Sequence, residues 1–519
     1  MNIRSFLKNL LKNKALLICI FLLIIFKLPS LFEPTWYGDE GIYATIGNEM
    51  NHGELLYKDV WDNKTPFIYY TYGTIIKFFG VNQFFFRFAG LISAIIALIF
   101  FYKLFILIFA NNFTKRKDLF FLIPGILFAF FIGSPILEGN IANAENFFTT
   151  FSLIGLYYAI KYTNERKGKN LALFGLFFGI AFMFKTLPIF EIIPAYIFIY
   201  LYTGDFTTIK DAFRILLSKK LLISVSFFAL PAIVMTLLFL FQGNLSDFIN
   251  MLMTQGRSYA TLSPNASLGF IVIKDSLPLR TLLLGLGSVI LIYGFLKGYF
   301  NNKFNFFIVL LFLFSAYSVM FSGRSFAHYL LQIVASFILL GTMFYNLVKG
   351  KNIFVYTKYF VFLFFISTFF FQLFYKGLSV ASPTNTLSYY SNFIKFQIGS
   401  IDTKKYYSTL KDLDANSINQ LVEDTKFLKN KEVFVADEIP WYYALADASD
   451  AVKYTALYHT VLDKADMNKF VNDLRNKAEY IIINSDKFSS YDSRFQQLIN
   501  KDYTYVSTSQ QYKVYRIIK

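Results

Sequence analysis

The run from Glu33 to Arg87 concentrates the acids of an otherwise apolar region: Glu33, Asp39, Glu40, Glu49, Glu54, Asp59 and Asp62, with Lys64 in a Lys-Thr-Pro and Arg87 at its end. Further along stand Glu138, Glu145, Lys185, Arg257, Arg324 and His328. These residue types can hold a phosphate with Lys and Arg while a carboxylate takes the proton of an attacking group. Other chemistries find fewer parts. Cys19 is the single cysteine, so neither a disulfide framework nor a cysteine metal site forms within one chain. No Gly-rich phosphate loop, zinc spacing or Ser-His-Asp order stands out. The one Asp-x-Asp, Asp412-Leu-Asp414, lies far from the first loop in sequence. No metal and no cofactor are therefore expected.

The elements that must position these groups are membrane spans. Of 519 residues 55% are hydrophobic and 16% charged, with a mean hydropathy of +0.47, which excludes an ordinary soluble domain. Runs long enough to cross a bilayer fall near 15–32, 84–110, 119–136, 146–163, 171–187, 188–202, 221–241, 279–297, 304–322, 328–347 and 359–377, about eleven in all. Pro188 and Pro194 favour a break between the fifth and sixth. The basic, then apolar start lacks a small-x-small cleavage site and reads as a retained signal anchor.

Loop charges orient the layout, because cytoplasmic loops hold the Lys and Arg excess. Arg4 to Lys14, Lys115 to Lys117, Arg166 to Lys169, Lys210 to Lys220 and Lys349 to Lys358 form the basic set, placed inside with the N-terminus. Loops 33–83, 137–145, 242–278 and 323–327 are acidic or sparsely charged and are placed outside. Charged residues within spans sit near the ends, as Lys27, Lys103, Lys185, Glu191 and Lys376 do, so no mid-membrane charge marks an ion path. After Lys376 the composition turns polar. Strand patterns at 431–437, 478–484, 503–507 and 512–518, with helical pattern at 464–476, predict a small soluble α/β module or a mixed α+β sheet. The fold class expected is an α-helical integral membrane protein with a membrane domain over 1–378 and a C-terminal soluble domain over 379–519, on the outer side.

At the charged loops the sequence resembles a known family. The run W-Y-G-D-E-G-I-Y-A-T-I-G-N-E-M, continued by G-E-L-L-Y-K-D-V-W-D-N-K-T-P-F-I-Y-Y, is similar to the first external loop of polyprenyl-phosphate-dependent glycosyltransferases of the GT-C type. These include protein O-mannosyltransferases and the aminoarabinose transferases that modify lipid A. A-N-A-E-N-F (142–147), F-K-T-L-P (184–188) and G-R-S-F-A-H-Y (323–329) follow the same pattern in order. The resemblance covers roughly 1–377 and is strongest over 36–87; Thr65 departs from it, standing where many relatives have a first proline.

The resemblance implies an inverting transfer from a polyprenyl-phosphate sugar to an acceptor hydroxyl on a glycan, lipid or protein, with no nucleotide sugar. Asp39 takes the role of base, with Glu40 beside it. The leaving lipid phosphate needs fixed cations, for which Lys64 with Arg257 or Arg324, and His328, are the candidates, supported by Asp62, Arg87, Glu145 and Lys185; Arg257 and Lys185 enter by position alone. No nucleic-acid partner is expected. Plainer roles compete at each position. Asp39 could cap a helix, Lys64 could be a solvated turn lysine, Arg87, Arg324 and His328 could anchor spans at the headgroups, and Glu145 could stabilise a helix N-terminus. Two rival functions also stand: a lipid-linked oligosaccharide flippase or exporter, and a scaffold that binds through residues 379–519.

Overall fold

The computed structural model describes residues 13–109, 117–204, 218–262, 265–268, 271–274, 277–300, 302–321, 326–348, 382–410, 412–463 and 465–518. In chain order the first helices are α1 (Lys14–Lys27), α2 (Gly38–His52), α3 (Phe67–Phe79), α4 (Gln83–Ile108), α5 (Lys117–Gly133), α6 (Ala144–Glu165), α7 (Gly168–Phe184) and α8 (Ile189–Thr203). Then come α9 (Lys219–Gln242), α10 (Leu245–Leu262), a hairpin of β1 (Asn265–Leu268) and β2 (Ile271–Lys274), α11 (Leu277–Leu296), α12 (Lys303–Phe321) and α13 (Val334–Val348). Helices occupy every expected span that is described; the one at 359–377 lies outside the described residues. Among the described residues four helical stretches are long and apolar enough to cross a bilayer, Lys14–Phe32, Gln83–Ile108, Lys219–Gln242 and Lys303–Phe321, with five shorter apolar helices beside them. The expected break holds: α7 ends at Phe184, Lys185 is extended, and Pro188 opens α8.

By contacts the chain divides into two compact units that interleave in sequence. The first comprises Met1–Leu28, Ala89–Val234 and Ala260–Thr386. Its core is a continuous apolar cluster that includes Leu98, Phe101, Phe128, Leu156, Phe178, Phe198, Phe307 and Leu339. Phe21, Leu222 and Ile290 point outward, 62%, 68% and 68% exposed, as side chains facing lipid do. Without a hydrophobic drive between spans, small residues allow close packing. Gly175 and Gly179, one turn apart on α7, meet α9 backbone to backbone, and a Cβ on either would lie 2.0 Å from the Ser224 carbonyl oxygen or 2.3 Å from that of Phe228.

The second unit comprises Pro29–Phe88, Met235–Tyr259 and Leu387–Lys519. Its tail contains α14 (Pro383–Gln397), α15 (Thr403–Tyr407), α16 (Ala415–Asp424), β3 (Glu432–Ala436), α17 (Trp441–Ala446), β4 (Ser449–Asp450) and α18 (Tyr458–Leu462). It continues with α19 (Met467–Lys477), β5 (Tyr480–Asn484), α20 (Ser493–Asp502), β6 (Tyr503–Ser509) and β7 (Tyr512–Ile517). Among the described residues these strands form one sheet of order β4-β3-β5-β7-β6, with β4, β3 and β5 parallel and β7 and β6 antiparallel. Both expected readings of the tail are thus partly met, a parallel α/β half and an antiparallel edge hairpin. The uniformly apolar run Ile481–Ile483 is buried, while β6 and β7 carry exposed residues at the edge.

The sharp change in composition near 378 does not mark where packing separates. Trp441 Nε1 donates to the Tyr37 carbonyl (2.8 Å), Thr45 Oγ1 to that of Pro440 (2.7 Å), and the Leu413 and Trp61 amides to those of Trp36 (2.9 Å) and Lys453 (2.8 Å). Trp441 is fully buried against Gly41, where a Cβ would lie 2.8 Å from the indole. The first loop and the tail therefore fold as parts of one unit.

Candidate active site

Asp39 lies in the first turn of α2, where the helix dipole favours a carboxylate. The N-cap position belongs to Tyr37, not Asp39, and the helix-opening amide of Gly38 donates to Asp412 Oδ2 at 2.7 Å. Its Oδ1 stands 3.6 Å from Lys64 Nζ and its Oδ2 accepts from the Tyr43 hydroxyl at 3.3 Å. Tyr43 is four residues on, the next turn of the same helix face. The Asp39 side chain remains 25% exposed while that of Lys64 is 7% exposed.

Lys64 is not a solvated turn residue. Its ammonium contacts Asp62 Oδ2 (3.3 Å) as well as Asp39, and lies 4.9 Å from the centre of the Tyr43 ring. The backbone that presents it is fixed by Tyr57, whose hydroxyl donates to the Lys64 carbonyl (2.8 Å). Asp62 is buried, accepting from the Tyr69 hydroxyl (2.8 Å) and the Asn63 amide (2.7 Å), and its Oδ1 is 3.5 Å from His459 Nε2. His459 is fully buried between Trp61 and Tyr458, and burial lowers its pKa to about 4 despite Asp62, so it is neutral near pH 7. Asp59 serves the turn, accepting from the Leu55 amide.

Glu40, expected beside Asp39 as a second catalytic carboxylate, faces elsewhere. Successive residues on a helix point about 100° apart, and Glu40 turns into a buried triad. Arg87 Nη2 is 2.7 Å from Glu40 Oε2 and Arg87 Nη1 is 3.2 Å from Glu33 Oε2, all three side chains being fully buried. Gln83 donates to Glu40, and Trp36 and Tyr389 to Glu33. Arg87 is thus neither a headgroup anchor nor exposed, but the cation that ties the start of α4 to α2 and to the segment before it.

The second group of expected residues gathers in the other unit. Asn143 caps α6 through its own side chain, accepting from the Ala144 amide (2.7 Å). This leaves Glu145, in the first turn, to pair with Lys185, whose ammonium also sits 4.3 Å from the centre of the Tyr329 ring. His328, expected on the donor phosphate, has both ring nitrogens toward carboxylates: Nδ1 at 2.6 Å from Glu138 and Nε2 at 3.8 Å from Glu145. Arg257 lies on α10 with its side chain outside the described residues, and Arg324 lies outside them altogether. Among the described residues no three His, Cys, Asp or Glu side chains gather as a metal group.

His459, Tyr69 and Tyr43 escaped the reading of the sequence. Only Tyr43 carried a local signal, its spacing of four from Asp39. Comparison with known proteins supports the resemblance. Residues 63–239 match the family model described as dolichyl-phosphate-mannose-protein mannosyltransferase. That stretch includes Lys64, Arg87, Glu138, Glu145 and Lys185, and begins after Asp39 and Glu40. No curated protein sequence matches the chain. The fold is similar to that of ArnT from Cupriavidus metallidurans, in the structure bound to undecaprenyl phosphate (TM-score 0.53, 13% identity, covering 95% of this chain and 96% of that one). The apo structure of the same ArnT gives a TM-score of 0.53 at 10% identity, with the same coverage. The chain is a helical membrane protein with a small C-terminal sheet region, and it resembles the GT-C-type glycosyltransferases in sequence over 63–239 and in fold over nearly its whole length.

Proposed function

We propose that this protein is a membrane glycosyltransferase that moves a sugar from a polyprenyl-phosphate donor to an acceptor hydroxyl, with inversion and without a catalytic metal, on the non-cytoplasmic face of a bundle of about eleven spans. The observation that carries this reading is Asp39: a carboxylate one quarter exposed, held by Lys64 and Tyr43 at the start of a helix. An acceptor hydroxyl is a poor nucleophile until a positioned carboxylate takes its proton. In the step proposed, that proton passes to Asp39, the acceptor oxygen forms the new bond to the sugar's anomeric carbon, and the old bond to phosphate breaks with its electron pair on the leaving polyprenyl phosphate.

The charges suit this sequence of events. The Lys64 ammonium lies 3.6 Å from Asp39 and 3.3 Å from Asp62. When Asp39 accepts the proton its hold on the Lys64 ammonium weakens, just as charge develops on the leaving phosphate. Arg257 and Arg324 are the proposed further cations there. Glu33, Glu40 and Arg87 position α2, and Glu138, Glu145, Lys185 and His328 brace the second loop. Metal independence is supported by the Asp-x-Asp itself: Asp412 accepts from the Gly38 amide and Asp414 caps α16.

The test is to incubate the purified protein with a panel of polyprenyl-phosphate sugars and acceptors and to identify released polyprenyl phosphate and glycosylated product by mass spectrometry. Asp39→Asn is expected to abolish product while unfolding at the wild-type temperature. Full activity in that variant removes the assignment of the base.

A further inference from the structure

The helix that carries Asp39 does not cap itself. An N-cap is usually Ser, Thr, Asp or Asn, whose short side chain accepts from the amides of the first turn. At the head of α2 that position is held by Tyr37, whose side chain makes no capping hydrogen bond. The Gly41 amide reaches the Tyr37 carbonyl (3.2 Å) and closes the first turn. The amides within that turn have no acceptor along the helix and must be satisfied from outside it.

The tail supplies what α2 lacks. Asp412 Oδ2 accepts from the Gly38 amide at 2.7 Å, across 374 residues of sequence, and a carboxylate at this end of a helix is favoured by the dipole. The adjoining Leu413 amide donates to the Trp36 carbonyl (2.9 Å), so one short stretch of the tail holds the chain as it enters the helix. Asp412 comes this close because residue 38 is glycine: a Cβ there would lie 3.3 Å from its Oδ2. Further along α2 the hold is of another kind. Trp441 is fully buried against Gly41, and Thr45 donates to the Pro440 carbonyl (2.7 Å). Those packed contacts fix where the helix lies. Asp412 is exposed, so what it adds is confined to the first turn, the part of a helix that frays when its cap is lost.

Asp39 is the second residue of that turn, its backbone following directly on the amide that Asp412 holds. We infer that Asp412 of the C-terminal domain is a positioning residue for the proposed transfer, a cap supplied from the tail that keeps the first turn of α2 wound and so holds Asp39 beside Lys64. It acts through the backbone of Gly38. The role rests on Asp39 acting as the base, and it gives the tail a part in the reaction separate from any binding of its own. A reacting group displaced by ~1 Å loses much of its effect. The loss falls on the chemical step, so it is read in kcat and not in KM.

The experiment compares Asp412→Ala, Asp412→Asn, Asp414→Ala and Asp39→Asn in the full-length protein. The readouts are polyprenyl phosphate released from the same panel of polyprenyl-phosphate sugars and acceptors, and hydrogen–deuterium exchange of the peptide spanning 37–43, which tests the cap without a substrate. Asp412→Ala should lower kcat by roughly three- to tenfold with KM little changed, and should speed exchange of the first-turn amides. Asparagine caps about as well as aspartate, so Asp412→Asn should return both readouts to near wild type. Asp414→Ala removes the cap of α16 two residues away and should change neither, which separates the role of Asp412 from a general loosening of the tail. With Asp39→Asn inactive, the inference is overturned by unchanged exchange or unchanged kcat in Asp412→Ala, by an equal loss in Asp412→Asn, or by an equal loss in Asp414→Ala. Full activity in Asp39→Asn is a separate result: it removes the base, and with it the group that Asp412 would position.

Discussion

Two clusters of the same residue types behave differently. Around Lys64 the ammonium lies 3.6 Å from Asp39 and 3.3 Å from Asp62, and the Asp39 side chain is 25% exposed. Around Glu145 the carboxylate is fully buried, Lys185 is held tightly against it, and His328 sits 2.6 Å from Glu138. A base must be reachable and must not be fully committed to its partners. A buried ion pair is the opposite, because removing one member leaves the other charge desolvated and uncompensated. On the proposed reading the first cluster is the reaction centre and the second a brace.

The largest effect that would break this comparison is on turnover. Asp39→Asn should lower transfer by about 10²–10⁴-fold, the usual share of general base catalysis, without altering thermal unfolding. Were Glu145→Gln to abolish transfer at unchanged stability while Asp39→Asn did not, the two roles would be exchanged. Next, Arg87→Met and Lys185→Met should each cost about 3–5 kcal/mol of stability, as stranded buried carboxylates do, read from denaturant unfolding. The triple change Glu33→Gln, Glu40→Gln and Arg87→Met should recover much of that loss.

A smaller effect sharpens the first cluster. Tyr43→Phe removes one hydrogen bond to Asp39, worth about 1 kcal/mol, so kcat should fall by roughly fivefold with KM for the acceptor little changed. The smallest effect concerns the far end of the same helix. Glu49 is buried, and burial raises its pKa to about 8. Because the folded value lies above the unfolded one, its contribution is intact below about pH 4.5 and is lost as pH rises through 8. Glu49→Gln does not titrate, so its stability advantage over wild type should grow by about 1 kcal/mol per pH unit between pH 5 and 7, read as the difference in unfolding temperature. A difference that stays flat with pH would show that Glu49 is not held neutral.

Much of the membrane part was legible because a span must be apolar over its length, a property of composition that survives without knowledge of neighbours. Lys64 and Asp39 were legible as a pair through a motif, and α6 through its Asn-Ala-Glu start. The pairing of Glu40 with Arg87 was not legible because adjacency in a chain is not adjacency on a helix. The contact of His328 with Glu138 was not legible because the two lie 190 residues apart.

What the sequence determined by itself is the position of the apolar spans, four strands of the tail and the residues able to do acid–base work, since periodicity and side-chain chemistry are local. The tertiary structure alone decided which of those residues are buried, which carboxylate keeps contact with solvent, and that residues 387–519 complete the unit holding the first loop. Those outcomes depend on partners hundreds of residues apart, Gly38 with Asp412 and Tyr37 with Trp441, and desolvation is set by every neighbour at once.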